Sequence, residues 1–109
     1  MVIYNVTSNM DARIAPEWLE WIRDHIAQVL GTGLFMDARL TEVLVEEQDG
    51  SKTYSIQYKA KSREALTTYY NTHAEQLRKD AQLKFGESVL SFRTELDVID
   101  EYMVHGNLN

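Results

Sequence analysis

Three histidines, His25, His73 and His105, are the first residues to weigh as chemistry. An imidazole moves protons near neutral pH or ligates a metal, but both roles need converging carboxylates or further imidazoles. Neither His25 nor His73 stands at HxxxH or HxxE spacing. Both fall at helical spacing among apolar residues, so they read as packed or boundary histidines. The acidic run Glu95, Asp97, Asp100 and Glu101 lacks the spacing of an EF-hand loop and reads as a solvated edge. With no cysteine in the chain, disulfides, thiolate zinc, iron–sulfur clusters and thiol nucleophiles are excluded. The reading therefore implies no metal and no cofactor. Tyr4, Tyr54, Tyr58, Tyr69 and Tyr70, with Trp18 and Trp21, fall at strand and helix spacing. They read as core aromatics with polar tips at the edge.

The elements that must position these residues follow from periodicity. Val2 to Ser8 alternates as a strand, with Val2, Tyr4 and Val6 on one side and Ile3, Asn5 and Thr7 on the other. Pro16 suits a first helical turn. From Ile14 to Leu30, steps of about 100° gather Ile14, Trp18, Leu19, Trp21, Ile22, Ile26, Val29 and Leu30 on one half of a helix. Gly31 and Gly33 supply its stop. Asp49-Gly50 is a favoured two-residue hairpin turn. Folding the chain about it sets Val45 against Tyr54, Val43 against Ile56, Thr41 against Tyr58 and Glu47 against Lys52. Ser62 caps a second helix whose stripe is Leu66, Tyr69, Tyr70, His73, Ala74, Leu77, Ala81 and Phe85. The poor helix formers Asn71-Thr72 allow a break within it. Ser88 to about Ile99 is the last strand, with Leu90, Phe92, Leu96 and Val98 alternating with Ser91, Arg93, Glu95 and Asp97.

The order is β-α-β-β-α-β in one α+β domain spanning residues 1–109, with a core to about residue 100 and a tail from about 101. Right-handed crossovers put two helices on one face of a four-stranded antiparallel sheet, the ferredoxin-like arrangement. The helices are expected to cover Tyr4, Tyr54, Ile56, Tyr58, Phe92 and Leu96. The open face is expected to carry Ile3, Asn5, Thr7, Leu44, Ser55, Gln57, Arg93 and Glu95. Asn5, Gln57, Arg93 and Glu95 are then the candidate ligand or interface residues, converging because the first strand lies between the third and fourth.

Charge narrows the partners. Seventeen acidic and 11 basic residues leave a net −6, which weighs against nucleic acid and anionic membrane. RNA-recognition domains share this strand order, but Lys52 to Tyr58 lacks their Gly-aromatic signature. Gly31 to Gly33 follows a helix where a phosphate loop precedes one. No apolar run reaches the ~18 residues of a membrane span, and the N-terminus does not read as a signal peptide. A cytoplasmic location is the expectation.

The blocks V-I-Y-N-V-T, E-W-L-E-W-I, G-T-G-x-F, T-Y-S-I-Q-Y, H-A-E-Q-L-R, K-F-G and S-F-R-T-E-L-D-V together resemble an uncharacterised family of short bacterial proteins. This is the domain-of-unknown-function family 4286, and the resemblance runs from Met1 to about Asp100. It implies no activity, cofactor or partner. More distantly the arrangement is similar to dimeric α/β-barrel proteins, some of them small oxygenases. Two functions stand as expectations. One is a non-enzymatic interaction module forming a homodimer through the open face. The other is a small cofactor-independent enzyme or ligand binder, with its cavity between that face and a partner.

Overall fold

The computed structural model describes residues 1–45 and 48–104. Glu47 and His105 therefore lie outside the described residues. The elements are β1 (Val2–Asp11), α1 (Ala15–Gly31), β2 (Phe35–Glu42), β3 (Ser51–Ala60), α2 (Arg63–Thr72), α3 (Ala74–Phe85) and β4 (Val89–Asp97), with one 3-10 turn over Gly86–Ser88. The sheet is antiparallel in the order β2-β3-β1-β4, so the two central strands are β3 and β1. This is the expected ferredoxin-like fold, with the second helix divided in two.

The division falls where the sequence allowed it. His73 leaves helical geometry at φ −126° between α2 and α3. Ser62 caps α2 as expected, its Oγ accepting from the Ala65 N–H at 3.0 Å. Helix α1 runs through Gly31 to a Thr32 cap, and the chain turns at Gly33, whose φ of +79° suits a residue without a Cβ.

The core forms on one face of the sheet. Val2, Tyr4 and Met10 of β1 and Tyr54, Ile56, Tyr58 and Ala60 of β3 pack against Trp18, Ile22 and Val29 of α1 and Leu66, Tyr69 and Leu77 of α2 and α3. Burial of such side chains contributes about 1.5–3 kcal/mol each before entropy is counted. No helix among the described residues is long and apolar enough to cross a membrane.

Two sheet expectations are corrected. First, β2 pairs with β3 three residues out of the expected register: Leu40 faces Ile56, Ala38 faces Tyr58 and Glu42 faces Tyr54. A bulge between Phe35 and Asp37 lets Phe35 share the buried face with Ala38 and Leu40. Phe35, Ala38 and Leu40 thus fill the space assigned to Val43 and Val45, and Leu44 and Val45 stand exposed. The turn is longer than two residues. Gly50 takes φ +75°, and Asp49 Oδ1 accepts from the Ser51 N–H at 3.0 Å. Lys52 pairs with Glu42 at 3.7 Å.

Second, β4 has the opposite facing. Arg93 lies across from Val6, Glu95 from Tyr4 and Ser91 from Ser8, all on the helix side of β1. Phe92 lies across from Thr7 and Leu96 from Ile3, on the open side. Alternation defines two sides of a strand without saying which is inward. Here the inward polar side chains find partners, Glu95 at Tyr70 and Arg63 of α2, and Arg93 and Ser91 at Tyr4 and Ser8 of β1.

Candidate functional site

The four candidate site residues do not converge. Asn5 and Gln57 are cross-strand partners on the open face. Asn5 donates from Nδ2 to Thr7 Oγ1 at 3.2 Å and accepts from the Ser55 hydroxyl at 2.7 Å. Arg93 and Glu95 lie on the helix side, so the expectation of a single polar quartet on the open face is corrected by the facing of β4.

Under the sheet, a cleft of about 500 Å³ opens between β4 and the layer of α1 and α3. Tyr4 stands at its inner wall. Its ring is 3% exposed and packs near Tyr58, Tyr69 and Tyr70 at centroid distances of 6.0, 5.8 and 5.7 Å. Its hydroxyl accepts from Arg93 Nε at 3.1 Å and from Arg78 Nη2 at 3.3 Å. Trp21, His25 and Phe85 form the opposite wall. The Trp21 ring stacks on His25 at 4.7 Å and meets Phe85 edge-on at 5.3 Å. Ser8 and Ser91 share a hydrogen bond of 2.8 Å at the floor.

Burial lowers the His25 pKa below 6.5; nearby Arg93 adds to that, while Asp80 opposes it. Its imidazole is therefore neutral at pH 7. Burial raises the Tyr69 hydroxyl to about 12 and pushes Tyr70 up as well, the latter assisted by its bond to Glu95. The Glu95 carboxylate accepts from Tyr70 at 2.6 Å and pairs with Arg63, and these contacts hold it below the usual carboxylate range. His73 is exposed and stacks on Tyr69 at 6.5 Å, so it does not join His25 in the cleft wall. Among the described residues, no three His, Asp or Glu side chains group as metal ligands.

The open face has its own character. Leu90, Phe92 and Leu96 form a row on β4 with exposures of 60%, 66% and 42%. Ile3, Gln57, Arg39, Asp37, Lys59, Val98 and Glu101 line a shallow groove beside them. Lys59 reaches Glu101 at 3.3 Å.

Two features of the candidate site have no clear signal in the sequence. The row on β4 reads as core because its residues are apolar, yet it stands exposed. Arg78 gives no signal of its own in the sequence, although Ala74 and Arg78 are spaced i, i+4 on α3, a spacing that puts them on one face.

This geometry defines a ferredoxin-like α+β domain with a cationic cleft beneath its sheet. Residues 1–99 match the family described as Domain of unknown function (DUF4286), and the chain belongs to it. No curated protein matches the sequence. Among solved structures, a putative antibiotic biosynthesis monooxygenase from Deinococcus radiodurans is similar at TM-score 0.64 and 16% identity, covering 97% of this chain and all of its own. A dimeric ferredoxin-like protein from an uncultured marine organism also gives 0.64, at 10% identity, with 95% and 100% covered. A second such marine protein gives 0.56 at 10% identity, with 93% and 98% covered. At these identities the likeness is one of fold.

Proposed function

We propose that this protein is a non-enzymatic interaction module in which two copies pair through the open faces of their sheets. One observation carries the reading: Leu90, Phe92 and Leu96 stand in a row on β4, on the face opposite the helices. Apolar surface in water costs about 25 cal/mol per Å², and a second copy of the same surface removes it. The polar residues between the apolar ones suit a contact that must also fix register. Asn5, Thr7, Ser55 and Gln57 present amides and hydroxyls, while Asp37 and Glu101 lie near Arg39 and Lys59. Such a mixed face complements itself under a twofold axis. Beyond β4 the chain continues with exposed Ile99, Tyr102 and Met103, further apolar surface for a partner to cover. Two of the similar structures are described as dimeric, which supports the same reading.

Light scattering at micromolar concentration tests it. The wild type is expected to be a dimer and Leu90→Ser with Phe92→Ser a monomer, while Arg93→Ala leaves the dimer intact because Arg93 lies under the sheet. A monomeric wild type ends the reading. A dimer indifferent to Phe92→Ser moves the interface away from the open face. The second reading, a small cofactor-independent enzyme or ligand binder, is favoured by the cleft on the other side of the sheet.

A further inference from the structure

We propose that the cleft between β4 and α3 binds an organic anion with a flat apolar body and one carboxylate, its charge held by Arg78 and Arg93 beside the Tyr4 hydroxyl. The site lies on the face of the sheet opposite the pairing surface, so it stands whether or not the chain dimerises.

The argument begins with charge. The chain carries a net −6, yet two guanidiniums from different elements converge on one phenol oxygen, at 3.1 and 3.3 Å. Among the described residues neither Arg78 nor Arg93 makes an ion pair. Their neighbours do: Arg63 takes Glu95, and at the rim Lys79 takes Glu75 at 3.5 Å. The nearby acid Asp80 accepts from Gln76 Nε2 at 3.0 Å. A guanidinium carries five N–H donors in a planar fork, and a tyrosine hydroxyl satisfies one of them. Among the described residues no side chain or carbonyl takes the remaining donors of either fork, and they suit a carboxylate, the partner whose two oxygens match that geometry.

The walls describe the rest of the ligand. Trp21, Phe85, Tyr69 and Tyr70 bring ring faces and edges to the cleft, and Ile22 and Val29 of α1 add aliphatic lining. A volume of about 500 Å³ lies in the range of small-ligand pockets, roughly 300–1,000 Å³. Neutral His25, stacked on Trp21, offers a hydrogen bond without adding a third charge. Such walls favour a planar ring system over a small hydrated ion, and that separates this site from one for inorganic phosphate.

The test uses the full chain, with 2-naphthoate and its uncharged isostere 2-naphthamide followed by calorimetry and by quenching of tryptophan fluorescence. Naphthoate is expected to bind saturably and at least about tenfold more tightly than the amide, as charge-assisted bonds require. In Arg78→Gln with Arg93→Gln the preference disappears, while amide binding stays within about twofold of the wild type because the walls are unchanged. Phe92→Ser, on the far side of the sheet, leaves both affinities unchanged. Equal binding of the two compounds by the wild type overturns the proposal, as does no saturable binding of naphthoate at millimolar concentration. Unchanged naphthoate affinity in the double variant overturns it too, as does displacement of naphthoate by equimolar inorganic phosphate. The wild-type comparison decides the matter without any variant, should the double substitution impair folding.

Discussion

Arg93 lies across from Val6 and reaches back under the sheet to the hydroxyl of Tyr4, its Nε donating at 3.1 Å. A strand residue and a core aromatic are thereby joined to the cleft rather than to the open face. The Tyr4 ring belongs to the core and its oxygen belongs to the cleft, so the two roles separate by substitution. Tyr4→Phe keeps the ring and removes the acceptor, and is expected to lower stability by about 1 kcal/mol. Tyr4→Ala also empties a buried site and is expected to cost about 3–5 kcal/mol. Urea midpoints of the two variants check this; equal losses would show that the hydroxyl dominates.

Phe92 and Ile56 make the opposite comparison. Phe92 is 66% exposed on the open face, while Ile56 is 2% exposed at the sheet centre. Ile56→Ala is expected to cost about 2–5 kcal/mol. Phe92→Ala, measured at a dilution where the chain is monomeric, is expected to stay within about 0.5 kcal/mol of the wild type. A loss of several kcal/mol for Phe92→Ala would restore the core position that its hydrophobicity suggests.

What was legible in the sequence was periodicity. The stripe from Trp18 to Val29, the alternation of β1 and β3, and the weak Asn71-Thr72 step are local patterns, and the elements follow them. What was not legible was pairing. The Asp49-Gly50 signal is real as a turn, but the register depends on which apolar residues of β2 fill the space over Ile56 and Tyr58, and a bulge near Phe35 decides that. For β4, hydrophobicity places Phe92 inward, while the structure places Arg93 inward, where the Tyr4 hydroxyl accepts from its Nε. Alternation along β1 and β3 puts Asn5 and Gln57 on the open face, because both are central strands whose buried sides are plain. The cleft itself arises from elements distant in sequence, β1, α1, β3, α2, α3 and β4, and no one segment announces it.

The cap of α2 offers a third test. Ser62 Oγ accepts from Ala65 at 3.0 Å, satisfying one of the N–H groups that a helix start leaves without an intrahelical partner. Ser62→Ala is expected to cost about 1 kcal/mol, and Ser62→Asp to restore most of it. Thermal unfolding of both variants checks the order; Ala and Asp behaving alike would mean the cap contributes nothing measurable.

The pH dependence of stability should show two separate windows. His25 has an ordinary value of 6.5 when unfolded and a lower one when folded, chiefly through burial. Between those two values the unfolded chain binds more protons, so stability falls as pH drops below 6.5 and stops falling on this account below the folded value. Glu95 acts further down. Tyr70 and then Arg63 hold it below 4.5, so its contribution is complete above 4.5 and is lost as pH falls through the folded value. Asp11 and Asp49, held low by Arg13 and Ser51, titrate in the same acid window. His25→Gln should therefore flatten the upper window and leave the lower one. Glu95→Gln should reduce the lower window without abolishing it and leave the upper one unchanged. Urea midpoints at about pH 7.5, 5.5 and 3.5 distinguish the two. The readout is the change with pH within each variant, since His25→Gln also alters packing on Trp21. An upper window that persists in His25→Gln would assign it to another group and remove the case for a neutral imidazole in the cleft.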